Sequence, residues 1–104
     1  MKSHPPTNEE RDWMTQIADI GCVICLKFIG VVTPAEIHHI NGKTKKGSHL
    51  ETIPLCYMHH RGGKDTPAFT SRHPHKARFE ERYGTELELL EYMRNEVSRK
   101  YYGY

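Results

Sequence analysis

Seven cysteine and histidine side chains fall into three short groups whose residue types and spacing are those of metal ligands. Cys22 and Cys25 form a CxxC pair, and Cys56 and His59 repeat the same spacing further along the chain. Two pairs of this kind are typical of a closed tetrahedral zinc site. We therefore predict these four residues as ligands of a structural zinc ion, with His60 as an alternative to its neighbour His59.

Three histidines remain beside this set, and they exceed what a structural zinc site requires. His38 and His39 occupy a short apolar run that predicts a strand, where neighbouring side chains point to opposite faces. One imidazole can then bind a metal ion while the other accepts a proton from water. His60 points to a different side of its helix from His59, and we expect it to meet His38. The surplus of ligands indicates catalysis.

The charge of the chain is concentrated around these histidines. The net charge is only +2, yet residues 41–78 carry eight lysines and arginines against two acids, a net of +6. The remaining residues carry seven basic and eleven acidic side chains, a net of −4. A basic segment that contains the metal motif suits a polyanionic partner.

Length and cysteine usage restrict the class of protein. The 104 residues fit one small domain with a limited core, and such domains are commonly stabilised by a structural metal ion. An odd number of cysteines, CxxC spacing and no signal-like start favour an intracellular zinc protein over a secreted disulfide scaffold. No apolar run approaches the length of a membrane span, so we expect no membrane partner.

Turn and capping signals divide the chain into elements that would position the ligands. Capping-box patterns begin at Thr7 and Thr85 and predict a helix after each. Strands are predicted at 36–40 and at about 49–53, separated by an Asn-Gly turn and a basic loop. A helix carrying the last histidine pair is predicted to follow Cys56.

These segments resemble a known family of nucleases. Strand–loop–strand–helix with Glu36–Ile40 and Ile53–Arg61 looks like the HNH endonucleases of the ββα-metal fold. Three features most resemble the phage recombination-enhancement nucleases, which depend on RecA filaments: the His-His-Ile-Asn-Gly step, the Ile-Pro-Leu-Cys-x-x-His-His-Arg block and the Phe79–Gly84 turn. The resemblance covers about residues 20–92.

Together, the residues and the resemblance predict one small α+β domain over residues 1–104. Its centre is a ββα-metal core of the HNH or treble-clef type, stapled by the structural zinc and flanked by an N-terminal helix and C-terminal helices. The expected parts are a flexible arm at 1–6, a helix at 7–21, the zinc-bound ββα core at 22–62 and helices over 74–100.

The resemblance also implies roles for the surplus histidines. His39 would be the general base, and His38 with His60 would hold a catalytic divalent ion that stabilises the leaving 3′ oxygen. Mg²⁺ or Mn²⁺ is expected there, although a nitrogen-rich site can capture Zn²⁺ on isolation.

The sequence leaves two assignments undecided: the residue that fixes the base and a further histidine near the catalytic ion. The family's middle residue, often Asn, helps to fix the base, and His49 is favoured for it here, with Asn41 and Glu51 as alternatives. Either His73 or His75 is a candidate to complete the shell of the catalytic ion or to contact phosphate.

The expected partner is DNA, with little sequence specificity from this domain alone. A RecA-type recombinase filament on single-stranded DNA would supply the targeting, which places the protein in the cytoplasm of a bacterial host, with a phage or prophage origin. Candidate phosphate contacts, which set position without reading sequence, are Lys43, Lys45, Lys46, Arg61, Lys64 and Arg72.

Two other functions compete with this interpretation. A non-catalytic zinc module that binds nucleic acid or protein would need the cysteine set and the basic loop but not the surplus histidines. A zinc-dependent hydrolase of small molecules fits the basic loop poorly. The sequence does not indicate the oligomeric state.

Overall fold

Helix α1, Asn8–Ile20, begins at the first predicted capping box. In this computed structural model, which describes residues 5–103, the Thr7 hydroxyl accepts the Glu10 N–H and the Glu10 carboxylate accepts the Thr7 N–H. The helix ends at Gly21, whose φ of 99° lies in the left-handed region. A Cβ at Gly21 would approach a backbone oxygen to 2.8 Å, so the chain can turn towards the first cysteine pair only with glycine here. Residues 1–4 of the predicted arm lie outside the described residues.

The chain then forms a single π-helical turn and a two-stranded antiparallel sheet. The π-helical turn spans Cys25–Ile29, strand β1 spans Glu36–His39 and strand β2 spans Thr52–Leu55. In the register of the two strands, His38 lies opposite Ile53. Because side chains alternate along a strand, His38 is buried against the core and its neighbour is only half-buried.

The second strand lies later in the chain than we predicted. Residues 48–50, at the start of the predicted strand, form a 3₁₀ turn, and the strand continues through Pro54 to Leu55. Proline is tolerated because a two-stranded sheet consists of edge strands, in which an N–H can be dispensed with. The 3₁₀ turn places His49 inward and buried beside the end of β1.

Three helices complete the described chain. Helix α2 is the short Tyr57–Arg61 segment directly after β2. Helix α3, Lys76–Tyr83, begins two residues later than predicted, and α4, Glu86–Tyr102, continues two residues beyond the predicted end at 100. A second capping box at Thr85 opens α4, as the sequence predicts.

The core lies between the sheet and helices α1 and α4, which also pack against each other. Fully buried apolar side chains come from every layer, and each contributes roughly 1.5–3 kcal/mol by leaving water. They include Ile17 from α1, Ile53 and Leu55 from β2, Phe79 from α3, and Leu89 and Met93 from α4.

The predicted α+β class is confirmed. The described residues contain four α-helices and one sheet of two strands. Among them no helix combines the length and the apolar character needed to cross a membrane.

Candidate metal centres

Four of the predicted ligands converge in a buried cluster, which we call the Cys₃His cluster: Cys22, Cys25, Cys56 and His59. Their donor atoms all lie within 4.8 Å of one another. His59 Nδ1 lies 3.8, 3.7 and 3.1 Å from the sulfurs of Cys22, Cys25 and Cys56, and the last two sulfurs are 3.9 Å apart. A tetrahedral zinc ion bonded to sulfur at 2.3 Å separates its ligands by roughly 3.8 Å. The cluster therefore has the size of a zinc site, with His59 and not His60 in the fourth position.

The chemistry of this donor set also fits a cation. Burial raises the pKa of Cys22 to about 12 and also raises the pKa of Cys56. Thiolates are therefore unfavourable in the cluster unless a positive ion offsets their charge, and a bound metal deprotonates such thiols outright. Burial also lowers the pKa of His59, which keeps its imidazole in the neutral form that binds metal.

A second cluster, which we call the three-histidine cluster, consists of His38, His60 and His73. Its donor atoms also lie within 4.8 Å of one another. The ring centroids are 5.1 Å apart for His38 and His60, 5.3 Å for His38 and His73, and 5.2 Å for His60 and His73. Three imidazoles supply only three ligands, so an ion held by them would keep further coordination positions open to water or substrate, as catalytic metal sites do.

Three elements bring these rings together. Strand β1 turns His38 inward, and α2 carries His60 directly after His59 of the Cys₃His cluster. The N–H of His73 donates to the carbonyl of His60 at 2.9 Å, which fixes the third ring beside the second. Burial lowers the pKa of His60 and of His73, so both imidazoles are neutral and able to bind a cation.

His39 lies on the other face of β1 and contacts His49. The His39 Nε2 atom is 2.9 Å from His49 Nδ1. Thr52 donates its hydroxyl proton to the His49 carbonyl at 3.0 Å. The same hydroxyl accepts the Trp13 indole N–H at 3.0 Å, so Thr52 and Trp13 together hold the backbone at His49 in place. Burial, together with the positive charge of Lys43, lowers the pKa of His39 to about 4.

The other residues that the sequence left open lie elsewhere. Asn41 donates its side-chain N–H to Glu51 at 3.2 Å, so the two alternatives to His49 contact each other. His75 lies outside the three-histidine cluster, with its Nε2 3.2 Å from the carbonyl of Gly63.

Residues 6–98 match the family described as recombination enhancement, RecA-dependent nuclease. The chain belongs to this family. The match extends from before α1 to near the end of α4, so it includes every residue of both clusters. Membership in this nuclease family assigns the chain a nuclease role in coarse terms and implies the involvement of DNA and RecA.

Two glutamates in the site were not predicted from the sequence. Glu86, the first residue of α4, lies 2.9 Å from His38 Nε2 through its Oε2 and also accepts the Nε–H of Arg72. Glu36, the first residue of β1, lies 2.8 Å from His60 Nδ1 through its Oε1. The only sequence signal for Glu86 is its place directly after the capping residue of a helix.

Some of the predicted phosphate contacts are exposed lysines, and the others are arginines paired with a glutamate. Arg72, one of the candidate phosphate contacts, has a side chain that is 14% exposed and paired with Glu86. Arg61 is 60% exposed but forms a two-pronged ion pair with Glu36. Four lysines of the set are exposed: Lys43, Lys45, Lys46 and Lys64.

Proposed function

We propose that this chain is an HNH-type, metal-dependent DNA endonuclease that hydrolyses phosphodiester bonds. In this proposal residues 1–104 form one nuclease domain, and β1, β2 and α2 form its ββα-metal core. One observation carries the proposal: the three-histidine cluster is separate from the Cys₃His cluster, and a further histidine, His39, lies on the opposite face of β1 from His38. A purely structural zinc module has no use for this second group.

The three-histidine cluster would hold the catalytic ion, Mg²⁺ or Mn²⁺, and zinc is a candidate to replace it on isolation. A divalent ion held there supplies Lewis-acid stabilisation of the leaving oxygen. His38, His60 and His73 would each bind the ion through one ring nitrogen, and the exposed side of His73 leaves room for a phosphate oxygen.

His39 would act as the general base. We assign the proton of its Nε2 to the contact with His49 Nδ1, which leaves His39 Nδ1 with a free lone pair. That nitrogen takes a proton from the attacking water, and His49 holds the ring in the required tautomer and orientation. The depressed pKa keeps His39 unprotonated at neutral pH, which a base requires.

The Cys₃His cluster would hold a structural zinc ion that takes no part in the reaction. Its four ligands fill a tetrahedral shell, so the ion offers no open position for substrate. Its role is to join the first cysteine pair to the start of α2 and so to fix the position of His60.

Exposed lysines would contact phosphates next to the site: Lys43, Lys45 and Lys46 in the loop that follows β1, and Lys64. We propose that a RecA-type filament on single-stranded DNA delivers the duplex inside a bacterial cell. The family description supports this partner.

The test combines one substitution with the presence or absence of the filament. We expect the wild type to nick a duplex matched to the filament in Mg²⁺ or Mn²⁺, and His39→Ala to lose roughly 10²–10⁴ of that rate, the usual contribution of a general base. His39→Ala should keep its zinc, its fold and its affinity for DNA. The readout is the rate of strand scission on a gel, together with the zinc content of each variant.

His75→Ala is the matched control, since it removes an imidazole outside both clusters. Cleavage by His39→Ala at the rate of His75→Ala would refute the role of the base. An absence of cleavage by any form, with zinc and DNA binding intact, would favour the non-catalytic binding module. Equal nicking with and without the filament would refute the proposed partner.

A further inference from the structure

Two carboxylates contact ring nitrogens of the three-histidine cluster. Glu86 Oε2 lies 2.9 Å from His38 Nε2, and both side chains are only 4% exposed. Glu36 Oε1 lies 2.8 Å from His60 Nδ1, where the side chains are 32% and 14% exposed. The same arrangement therefore occurs twice, once in the interior and once near the surface.

Each carboxylate is in turn held by an arginine. Arg72 donates through its Nε to Glu86 Oε1, and Arg61 donates to both oxygens of Glu36. A guanidinium is permanently charged and only donates hydrogen bonds, so each carboxylate faces its arginine as an anion that accepts them.

An ionised carboxylate only accepts hydrogen bonds, so the ring nitrogen that faces it must carry the proton. His38 is then protonated at Nε2 and His60 at Nδ1. A neutral imidazole has one N–H, and the lone pair lies on its other nitrogen. The nitrogens left to bind an ion are Nδ1 of His38 and Nε2 of His60.

We propose that Glu86 and Glu36 are positioning residues that present Nδ1 of His38 and Nε2 of His60 to the metal ion. This inference rests on the proposed role of the three-histidine cluster. Metal-binding histidines commonly donate their other N–H to a carboxylate, and loss of such a partner usually weakens metal binding 10- to 100-fold. Glu86 is expected to have the larger effect, because its side chain is only 4% exposed and bulk solvent has little access to replace it.

Long-range ¹H–¹⁵N NMR on the wild type with Mg²⁺ tests the assignment of the nitrogens. The ring proton is expected on Nε2 of His38 and on Nδ1 of His60. Protons on the opposite nitrogens of these two rings would overturn the proposal.

The energetic test measures the Kd for Mn²⁺ by electron paramagnetic resonance, without DNA. Glu86→Ala is expected to weaken binding 10- to 100-fold. Glu86→Gln should recover part of the loss, because its amide oxygen accepts the same N–H. Glu36→Ala should show a smaller loss. The control is Glu91→Ala, which removes an exposed carboxylate of α4 that pairs only with Arg94 among the described contacts.

A lower melting temperature of Glu86→Ala with an unchanged Mn²⁺ affinity would show a merely structural role and overturn the proposal. If Glu86→Ala does not fold, Glu86→Gln and the NMR assignment decide. Because binding is measured without cleavage, this inference and the proposed function fail separately. Wild-type protein that binds Mn²⁺ with these tautomers but never cuts DNA would support the positioning role and refute the nuclease mechanism.

Discussion

Adjacent histidines in this chain belong to different groups, and backbone geometry explains why. Along β1, His38 and His39 point to opposite faces because side chains alternate in a strand. Along α2, His59 and His60 are separated by about 100° around the helix axis, so one reaches the Cys₃His cluster and the other the three-histidine cluster. The separation of these neighbours could be predicted from the sequence, since both periodicities are local.

His49 is predicted to orient the ring of His39. Replacing His49 with Ala removes the partner of His39 Nε2 and should reduce kcat roughly 10- to 100-fold, by analogy with other groups that orient a reacting side chain. His49→Asn should retain more activity, because its side-chain oxygen can still accept a hydrogen bond. Steady-state nicking rates over a range of DNA concentrations separate kcat from KM. A wild-type kcat for His49→Ala would contradict the orienting role.

The two glutamates could not be predicted in the same way. Glu86 contacts a histidine 48 residues earlier in the chain, and Glu36 one 24 residues later. Neither spacing belongs to a periodic pattern, and both residues read in the sequence as ordinary polar starts of an element. Their roles depend on how α4 packs beside β1 and how α2 folds back on the sheet, which is tertiary information.

At the scale of the element, the helix ends were predicted better than the second strand. Both capping boxes are local signals within four residues, and both form as predicted. The sequence predicts the second strand too early, because proline is uncommon inside strands, whereas Pro54 lies within β2 opposite Ile37. The 3₁₀ turn at residues 48–50 gave no periodic signal, yet it places His49 beside His39.

The two capping boxes offer a matched pair of substitutions. Thr7→Ala and Thr85→Ala should each lower the free energy of unfolding by about 1 kcal/mol, the usual cost of a lost N-cap. Only Thr85→Ala should also weaken Mn²⁺ binding, because the residue after Thr85 is Glu86. Urea unfolding and Mn²⁺ titration measure the two effects. Equal Mn²⁺ affinity in both variants would show that the cap does not position the carboxylate.

At the scale of the whole molecule, the small core and the Cys₃His cluster are expected to hold the fold together. The Cys₃His cluster joins the start of the π-helical turn to the start of α2, segments that are 31 residues apart at Cys25 and Cys56. The three-histidine cluster lies nearer the surface, with His73 exposed. The first cluster is therefore expected to support the fold and the second to support the chemistry.

Removing each ion separately tests this division. Cys22→Ser should lose zinc and the cooperative urea transition, because structural zinc sites contribute folding free energy directly and small domains depend on such staples. His60→Ala should lose the second ion and cleavage but keep the zinc and a cooperative transition, since its ring is not among the Cys₃His ligands. Metal content by mass spectrometry and unfolding by circular dichroism measure both. If His60→Ala unfolds as completely as Cys22→Ser, the two clusters form a single structural unit, and the division of roles between them is wrong.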